Sequence, residues 1–183
     1  MWQIVAFAIV TLILVAISRA SLFTPHSHGF YRFFAWEAIS ALIIFNIPVW
    51  FDDWLAWHQI ISWILLIACI IPLALGVNAL RARGAPDPEK RSEPQLLGFE
   101  RTTKFVTSGV YHYIRHPFYS SLFLLDWGVF FKSPSWLGLA LALIASAFLI
   151  ATAKTDEAEC VQIFGADYQN YMQRTTMFIP YVF

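Results

Sequence analysis

The sequence predicts an all-α integral-membrane helical bundle of about five transmembrane helices, with a cytoplasmic C-terminal amphipathic helix. Three observations lead there. Only 13% of the residues are charged while 58% are hydrophobic, against roughly 25% charged in a soluble domain. Aromatic residues reach 17%, with eight Trp and seven Tyr, as two interfacial belts require. The apolar residues are gathered into five long runs, and mean hydropathy is +0.59.

The first run, Trp2 to Ser18, carries no charge. No Lys or Arg precedes it, as the basic start of a signal peptide would require, so it reads as a retained helix. The second, Phe30 to Trp50, holds Arg32 and Glu37 near its start, and the third is Trp57 to Leu80. Phe118 to Phe131 and Trp136 to Thr152 follow, joined by the tight turn Lys132-Ser-Pro-Ser135, and are expected as a helical hairpin. A hydrocarbon core of about 30 Å takes roughly 20 residues of helix. The fourth run falls short of that length.

Five passes place Arg19, Arg32, Lys154 and Arg174 on the same side as the basic residues between Arg81 and Arg115. That is eleven of the twelve Lys and Arg, with Lys132 alone on the other side. The excess marks the cytoplasmic face and leaves the N-terminus outside. Two polar regions then face the cytoplasm. "ARGAPDPEKRSEPQ" is Pro-rich and charged, and reads as a loop. In the tail from Ala153, Cys160, Val161, Phe164, Tyr168, Tyr171 and Met172 recur at helical spacing, with Gly165 marking a break. The whole of 1–183 is expected to be one membrane domain, with three helices in 1–80.

The stretch "GVYHYIRHPFYSS", residues 109–121, joins the loop to the fourth run. Pro117 suits the first turn of a helix, where its missing N–H costs nothing, and it bends the chain at His116. A helix start attracts anions, and Arg115 and His116 add donors beside it. Tyr111, Tyr113 and Tyr119 bring aromatic faces to the same point. The competing reading makes these residues interface anchors with their charges snorkelling to water. Asp156, Glu157 and Glu159 cluster where the fifth run ends. Such a cluster is either a solvated face or a set of acceptors for hydroxyls or a cation.

"TSGVYHYIRHPFY", followed about forty residues later by "DEAECVQIFGADYQNYMQRTTMFIP", resembles the signature of the integral-membrane methyltransferases. That family includes isoprenylcysteine carboxyl methyltransferases and phospholipid N-methyltransferases. The resemblance covers 103–180. It implies S-adenosylmethionine as cofactor, bound by Thr103, Lys104, Phe105, Val106, Tyr111, His116, Pro117, Phe118, Tyr119, Asp156 and Glu157. Arg115 and Glu157 are the catalytic candidates it suggests, and the implied partners are membrane lipids and a lipid or lipidated acceptor.

Three positions depart from the family pattern. Ser121 stands where Gly is usual, Asp156 where Glu is usual, and Thr152 where the carboxyl methyltransferases carry Arg. The last departure weakens the case for a carboxylate acceptor. A hydroxyl acceptor would need a base, for which Glu37, His116 and Glu157 are candidates.

Two rival readings stand beside this one. A sterol-reductase-like protein would bind NADPH and require more basic residues than Lys104, Arg115 and Lys154. A non-catalytic member would keep the fold and bind neither cofactor. A formal net charge of zero gives no basic surface for nucleic acid. Cys69 and Cys160 form neither a disulfide framework nor a zinc motif, and the pair His26 and His28 alone seldom makes a site, so no metal is expected. Glu37 and Asp126 are ionisable groups inside spans, functional candidates by default. Each also has a bland alternative, an ion pair of Glu37 with Arg32 or Arg115 and a hydrogen bond from Asp126 to a neighbouring helix.

Overall fold

The structure, a computed structural model, describes residues 1–84 and 105–182. Seven α-helices occupy them: α1 (Trp2–Leu22), α2 (His28–Asn46), α3 (Trp57–Ala68), α4 (Ile70–Arg83), α5 (Pro117–Phe130), α6 (Trp136–Phe164) and α7 (Ala166–Met172). Four stretches are long and apolar enough to cross a membrane, namely Trp2–Leu22, His28–Val49, Trp57–Arg83 and Trp136–Phe164. The protein is an integral membrane protein. Of the five expected spans, four are long and apolar enough to cross, and the fourth in chain order, α5, is shorter. The 14 residues of α5 reach about 21 Å at 1.5 Å per residue.

Contacts at its two ends nevertheless show that α5 runs the same course as α3 and α4. At one end a Cβ on Gly76 would stand 3.1 Å from the Pro117 ring. At the other, His58 Nδ1 lies 3.1 Å from the carbonyl of Phe131, and Gln59 Nε2 donates to the carbonyl of Lys132 at 3.1 Å. Lys132 is fully buried there. Its ammonium donates to Gln59 Oε1 at 3.0 Å and lies 3.5 Å from the centre of the Trp63 ring. The Trp63 ring face suits a cation, and these contacts tie α3 to the α5–α6 turn.

Local chemistry sets the helix boundaries. Ser27 and Ser135 begin α2 and α6 by accepting from Phe30 N and Gly138 N at 3.2 and 3.1 Å. The third run breaks at Cys69 between α3 and α4, where Pro72 lacks an N–H and its ring crowds the preceding turn. Ser121 donates to the Cys69 carbonyl exposed by that break, at 2.7 Å. A serine at this position therefore permits close approach, and adds a bond across it.

One expectation about the tail changes. Nothing in "TAKTDEAEC" breaks a helix, so α6 continues through the acidic cluster to Phe164 for 29 residues. The expected amphipathic helix is therefore the last part of α6 followed by α7. Gly165, at φ +59°, makes the break between them in a conformation that favours glycine. After α7 the chain returns as a strap of turns and bends with one bridge, between Thr176 and Ile114. Arg115 N and His116 N donate to the carbonyls of Thr176 and Met177 at 2.9 and 3.1 Å. The most extensive packing is of α2 against α6, with Ala35, Ala38, Ala145, Leu149 and Ala153 in the shared core.

Candidate active site

The end of the bundle where α5 begins carries a cavity lined by four pieces of chain: the segment 105–119, the end of α6 with α7, His28 at the start of α2 and Leu80 of α4. Phe105, Val106, Tyr111, Arg115, His116, Pro117, Phe118, Tyr119 and Asp156 all line it, as the sequence led us to expect. Thr103 and Lys104 lie outside the described residues.

Pro117 opens α5 from an N-cap whose backbone, φ −123° and ψ 64°, is non-helical. That bend turns the His116 ring inward, where it is 5% exposed and stacks on Tyr119 with ring centres 5.3 Å apart. Its Nδ1 lies 3.5 Å from Asp156 Oδ2 and its Nε2 lies 3.2 Å from Glu157 Oε1. Arg115 Nε donates to that same Glu157 oxygen at 2.6 Å. Two cations and two carboxylates thus form a compact buried lattice. Burial disfavours charge on His116, but the Asp156 and Glu157 carboxylates outweigh it and raise its pKa above the ordinary 6.5.

The sign of the pH effect follows. Below pH 6.5 the ring is charged in the folded and unfolded chain alike, and the pairing contributes in full. The contribution is lost as pH rises through the raised value. The thermal midpoint of the wild-type protein should therefore fall more steeply on the alkaline side of neutral than that of His116→Gln. Parallel curves would sink the lattice reading.

Arg115 and Glu157, the expected catalytic pair, are committed elsewhere. The Arg115 guanidinium also donates from Nη1 to the carbonyls of Met172, at 3.2 Å, and Thr175. Both side chains are under 10% exposed. These bonds lock the strap to the junction through Nε and Nη1, while the Arg115 side chain also lines the cavity. The Glu157 side chain belongs to this lattice behind the cavity wall.

Helical spacing explains which acids face inward. Asp156, Glu159, Cys160 and Ile163 sit at i, i+3, i+4 and i+7 of α6, one face of the helix, and all four line the cavity. Asp156 and Glu159 are 30% and 29% exposed there. Glu159 therefore belongs to the site, a member that the emphasis on the Asp156-Glu157 pair passed over. Continuity of α6 was the signal that could have found it. No local signal marks His28, which comes from 131 positions away to meet Glu159.

That meeting is close. Glu159 accepts from the His28 backbone N–H at 2.9 Å and from ring Nδ1 at 2.6 Å. Ligating atoms of His28, Asp156 and Glu159 all lie within 4.8 Å of one another. Two ligands about 2.1 Å from a shared ion stand roughly 3 Å apart, so the shorter His28–Glu159 separation is that of a hydrogen bond. His26 parts from this group, with its Nδ1 3.2 Å from the Tyr31 hydroxyl.

Aromatic residues close the cavity's other side. Phe105 stacks on Phe164 at 5.2 Å between ring centres and meets Tyr171 edge-on at 5.0 Å. Tyr171 donates its hydroxyl to the Tyr111 carbonyl at 2.5 Å. Burial raises the pKa of Tyr168 and Tyr171, so both stay neutral. Glu37 accepts a hydrogen bond from Thr11 at 2.9 Å, and Asp126 faces Ser146 of α6 at 3.4 Å. For Asp126 this is the bland alternative of a hydrogen bond to a neighbouring helix.

Comparison with known proteins meets the same part of the chain. Residues 95–167 match the phospholipid methyltransferase family. A methanethiol S-methyltransferase of Crocosphaera subtropica is 30% identical over 79 residues, 43% of this chain and 30% of that protein. Methanethiol S-methyltransferase 1 of Bradyrhizobium diazoefficiens is 28% identical over 87 residues, 47% of this chain and 30% of that protein. The protein-S-isoprenylcysteine O-methyltransferase of Schizosaccharomyces pombe is 31% identical over 94 residues, 51% of this chain and 36% of that protein. The chain spans about a third of the length of the curated relatives it matches. No solved structure matches it.

Proposed function

We propose that this chain, which is similar to membrane methyltransferases over residues 95–167, transfers a methyl group from S-adenosylmethionine to an acceptor presented by the bilayer. The observation that carries the reading is the convergence of the 105–119 segment and the Asp156 face of α6 on one cavity. Its chemistry suits the donor. Asp156 offers a carboxylate to the ribose hydroxyls, and the aromatic rings of Phe105 and Tyr168 offer flat apolar contact to adenine. The positive end of the α5 dipole, at Phe118 and Tyr119, suits the amino-acid carboxylate. S-adenosylmethionine supplies the activated methyl group. The chain's residues orient donor and acceptor and keep water out, and positioning of this kind provides most of the rate in such displacements.

A second cavity suits the acceptor. It is apolar, about 1400 Å³, and is lined by Leu65, Ile71, Leu75, Phe123 and Trp127 among others. The segment 108–120 walls both cavities, contributing Gly109, Val110, Ile114 and Ser120 to one and Tyr111, His116 and Tyr119 to the other. An acceptor with an apolar body would therefore approach from the lipid side. The donor cavity shows Asp156 and Glu159 at its rim and a committed Arg115, which suits a sulfonium better than the phosphates of NADPH. Calorimetry on the detergent-solubilised protein tests the reading. Binding of S-adenosylmethionine and S-adenosylhomocysteine, with none of NADPH, is expected, and the reverse pattern would replace it with the reductase.

The proposed orientation puts the donor cavity in the cytoplasm, as the distribution of Lys and Arg requires. In a background without Cys69 and Cys160, a membrane-impermeant thiol reagent applied to intact cells should modify Ser133→Cys and spare Ser92→Cys. Labelling of Ser92→Cys alone would invert the topology.

A further inference from the structure

Asp126 is a buried acid that the donor cavity does not use, and its neighbours lead to the second cavity. It is fully buried in α5, and among the described residues its Oδ1 has no hydrogen-bond partner. Its Oδ2 accepts from the Ser146 hydroxyl of α6 at 3.4 Å. A serine hydroxyl gives one hydrogen and can still accept, and Trp127 Nε1 donates to it at 3.1 Å. Asp126 thus orients the Ser146 hydroxyl, and the hydroxyl holds the Trp127 indole. That indole lines the apolar cavity, as does Ile150, one turn beyond Ser146 on the same face of α6.

The cavity has a direction. Along α5 it follows Ser120, Phe123, Leu124, Trp127 and Phe131, whose three- and four-residue spacing makes one stripe. That stripe is about 16 Å long at 1.5 Å per residue, close to half of a hydrocarbon core of about 30 Å. Ser108, His112 and Tyr113 give polar groups to the end where α5 begins. At the other end, where Gly128 meets Leu66 of α3, the cavity is bounded by Leu65, Trp127 and Phe131.

We infer that Trp127, positioned by Ser146 and Asp126, sets the length of hydrocarbon chain that the acceptor cavity takes, and that the acceptor is an amphiphile with a chain about one leaflet deep. The inference rests on the methyltransferase reading above. The segment 108–120 walls both cavities, so a head group at the polar end lies beside the donor while its chain runs along α5. An indole is a large, rigid wall, and the bond from its N–H keeps it from turning aside for a longer chain. A fitted apolar wall discriminates about tenfold or more for each surplus methylene.

The test uses the full chain in vesicles of dioleoylphosphatidylcholine. Octylamine, dodecylamine and hexadecylamine, each with a diazirine on its terminal carbon, are photo-crosslinked and the labelled peptides identified. In the wild-type protein the dodecyl probe should mark the end formed by Leu65, Trp127 and Phe131, and the hexadecyl probe should mark it about tenfold less. Trp127→Ala should raise the hexadecyl-to-dodecyl ratio about tenfold, and Trp127→Leu serves if the Ala variant does not fold. Trp127→Phe and Ser146→Ala lose the bond that holds the ring, and should raise the ratio about threefold. Ser146→Thr and Asp126→Asn keep the hydroxyl and its acceptor, and should keep the wild-type ratio. Calorimetry should find S-adenosylhomocysteine bound alike by every variant.

A ratio unchanged in the Trp127 variants overturns the inference. So does wild-type labelling that does not depend on chain length, or that falls on the lipid-facing residues of α1 in place of the α5 stripe. A Ser146→Ala protein with a lowered thermal midpoint and an unchanged ratio shows that the bonds only stabilise the bundle, and overturns the positioning role. Each of these can occur with S-adenosylhomocysteine binding intact. Failure of the wild-type protein to bind S-adenosylhomocysteine overturns the underlying methyltransferase reading and this inference with it.

Discussion

Arg115→Ala is expected to destabilise the protein by about 3 to 5 kcal/mol, the cost of stranding one member of a buried ion pair. Glu157 is 8% exposed and, among the described residues, would keep His116 as its cationic partner. The carbonyls of Met172 and Thr175 would lose their donor at the same time, and the strap from Thr175 to Phe178 would lose its anchor to the junction. In a chain of this size the thermal midpoint should drop by on the order of 10 °C, with faster tryptic cleavage at Arg174. Glu157→Gln should behave alike, because it strands the guanidinium. The double replacement Arg115→Met with Glu157→Met removes both charges and should cost less than the sum of the two single changes. A loss under about 1 kcal/mol in the single variant, or strict additivity in the double, would show that the pair is not the strap's lock.

Asp156→Asn should weaken S-adenosylmethionine and S-adenosylhomocysteine about equally, by roughly ten- to a hundredfold or about 1.5 to 3 kcal/mol. The two ligands share the ribose and differ in the sulfonium methyl and its charge. Equal loss therefore reports hydrogen bonds to the sugar, and loss confined to the charged donor reports balance of the sulfonium. Asp156 is the acid placed for the first role, since it lies on the cavity face of α6 and is 30% exposed, whereas Glu157 is turned into the lattice behind it. Calorimetry with both ligands decides between the roles. No change for either ligand would return Asp156 to a solvated face.

The membrane bundle and much of the cavity at the start of α5 were legible in the sequence. Long apolar runs have one low-energy fate in a bilayer, because a helix satisfies its own backbone hydrogen bonds. Pro117 and Gly165 act on the residues beside them, so the start of α5 and the end of α6 could be read locally. The length of the tail helix was harder, since a helix that leaves the apolar layer carries no hydropathy signal at its continuation. Reading the acids as a chain-adjacent pair, in place of a helix face at three- and four-residue spacing, hid the contribution of Glu159.

The sequence by itself determined the class of the protein as a membrane bundle and the helix entry at Pro117, and its family resemblance singled out residues of the 105–119 segment that line one cavity. The first two follow from composition, periodicity and the stereochemistry of single residues, and the third is what the resemblance implied. Only the tertiary structure decided what each charge does. It turned Arg115 onto Glu157 and the strap, gave Asp156 to the cavity, and brought His28 from the start of α2 onto Glu159 near the end of α6. The physical reason is that an ion pair or an oriented imidazole depends on distances of 3 to 4 Å between remote chain segments. The α2–α6 packing and the returning strap set those distances, and neighbouring residue types do not.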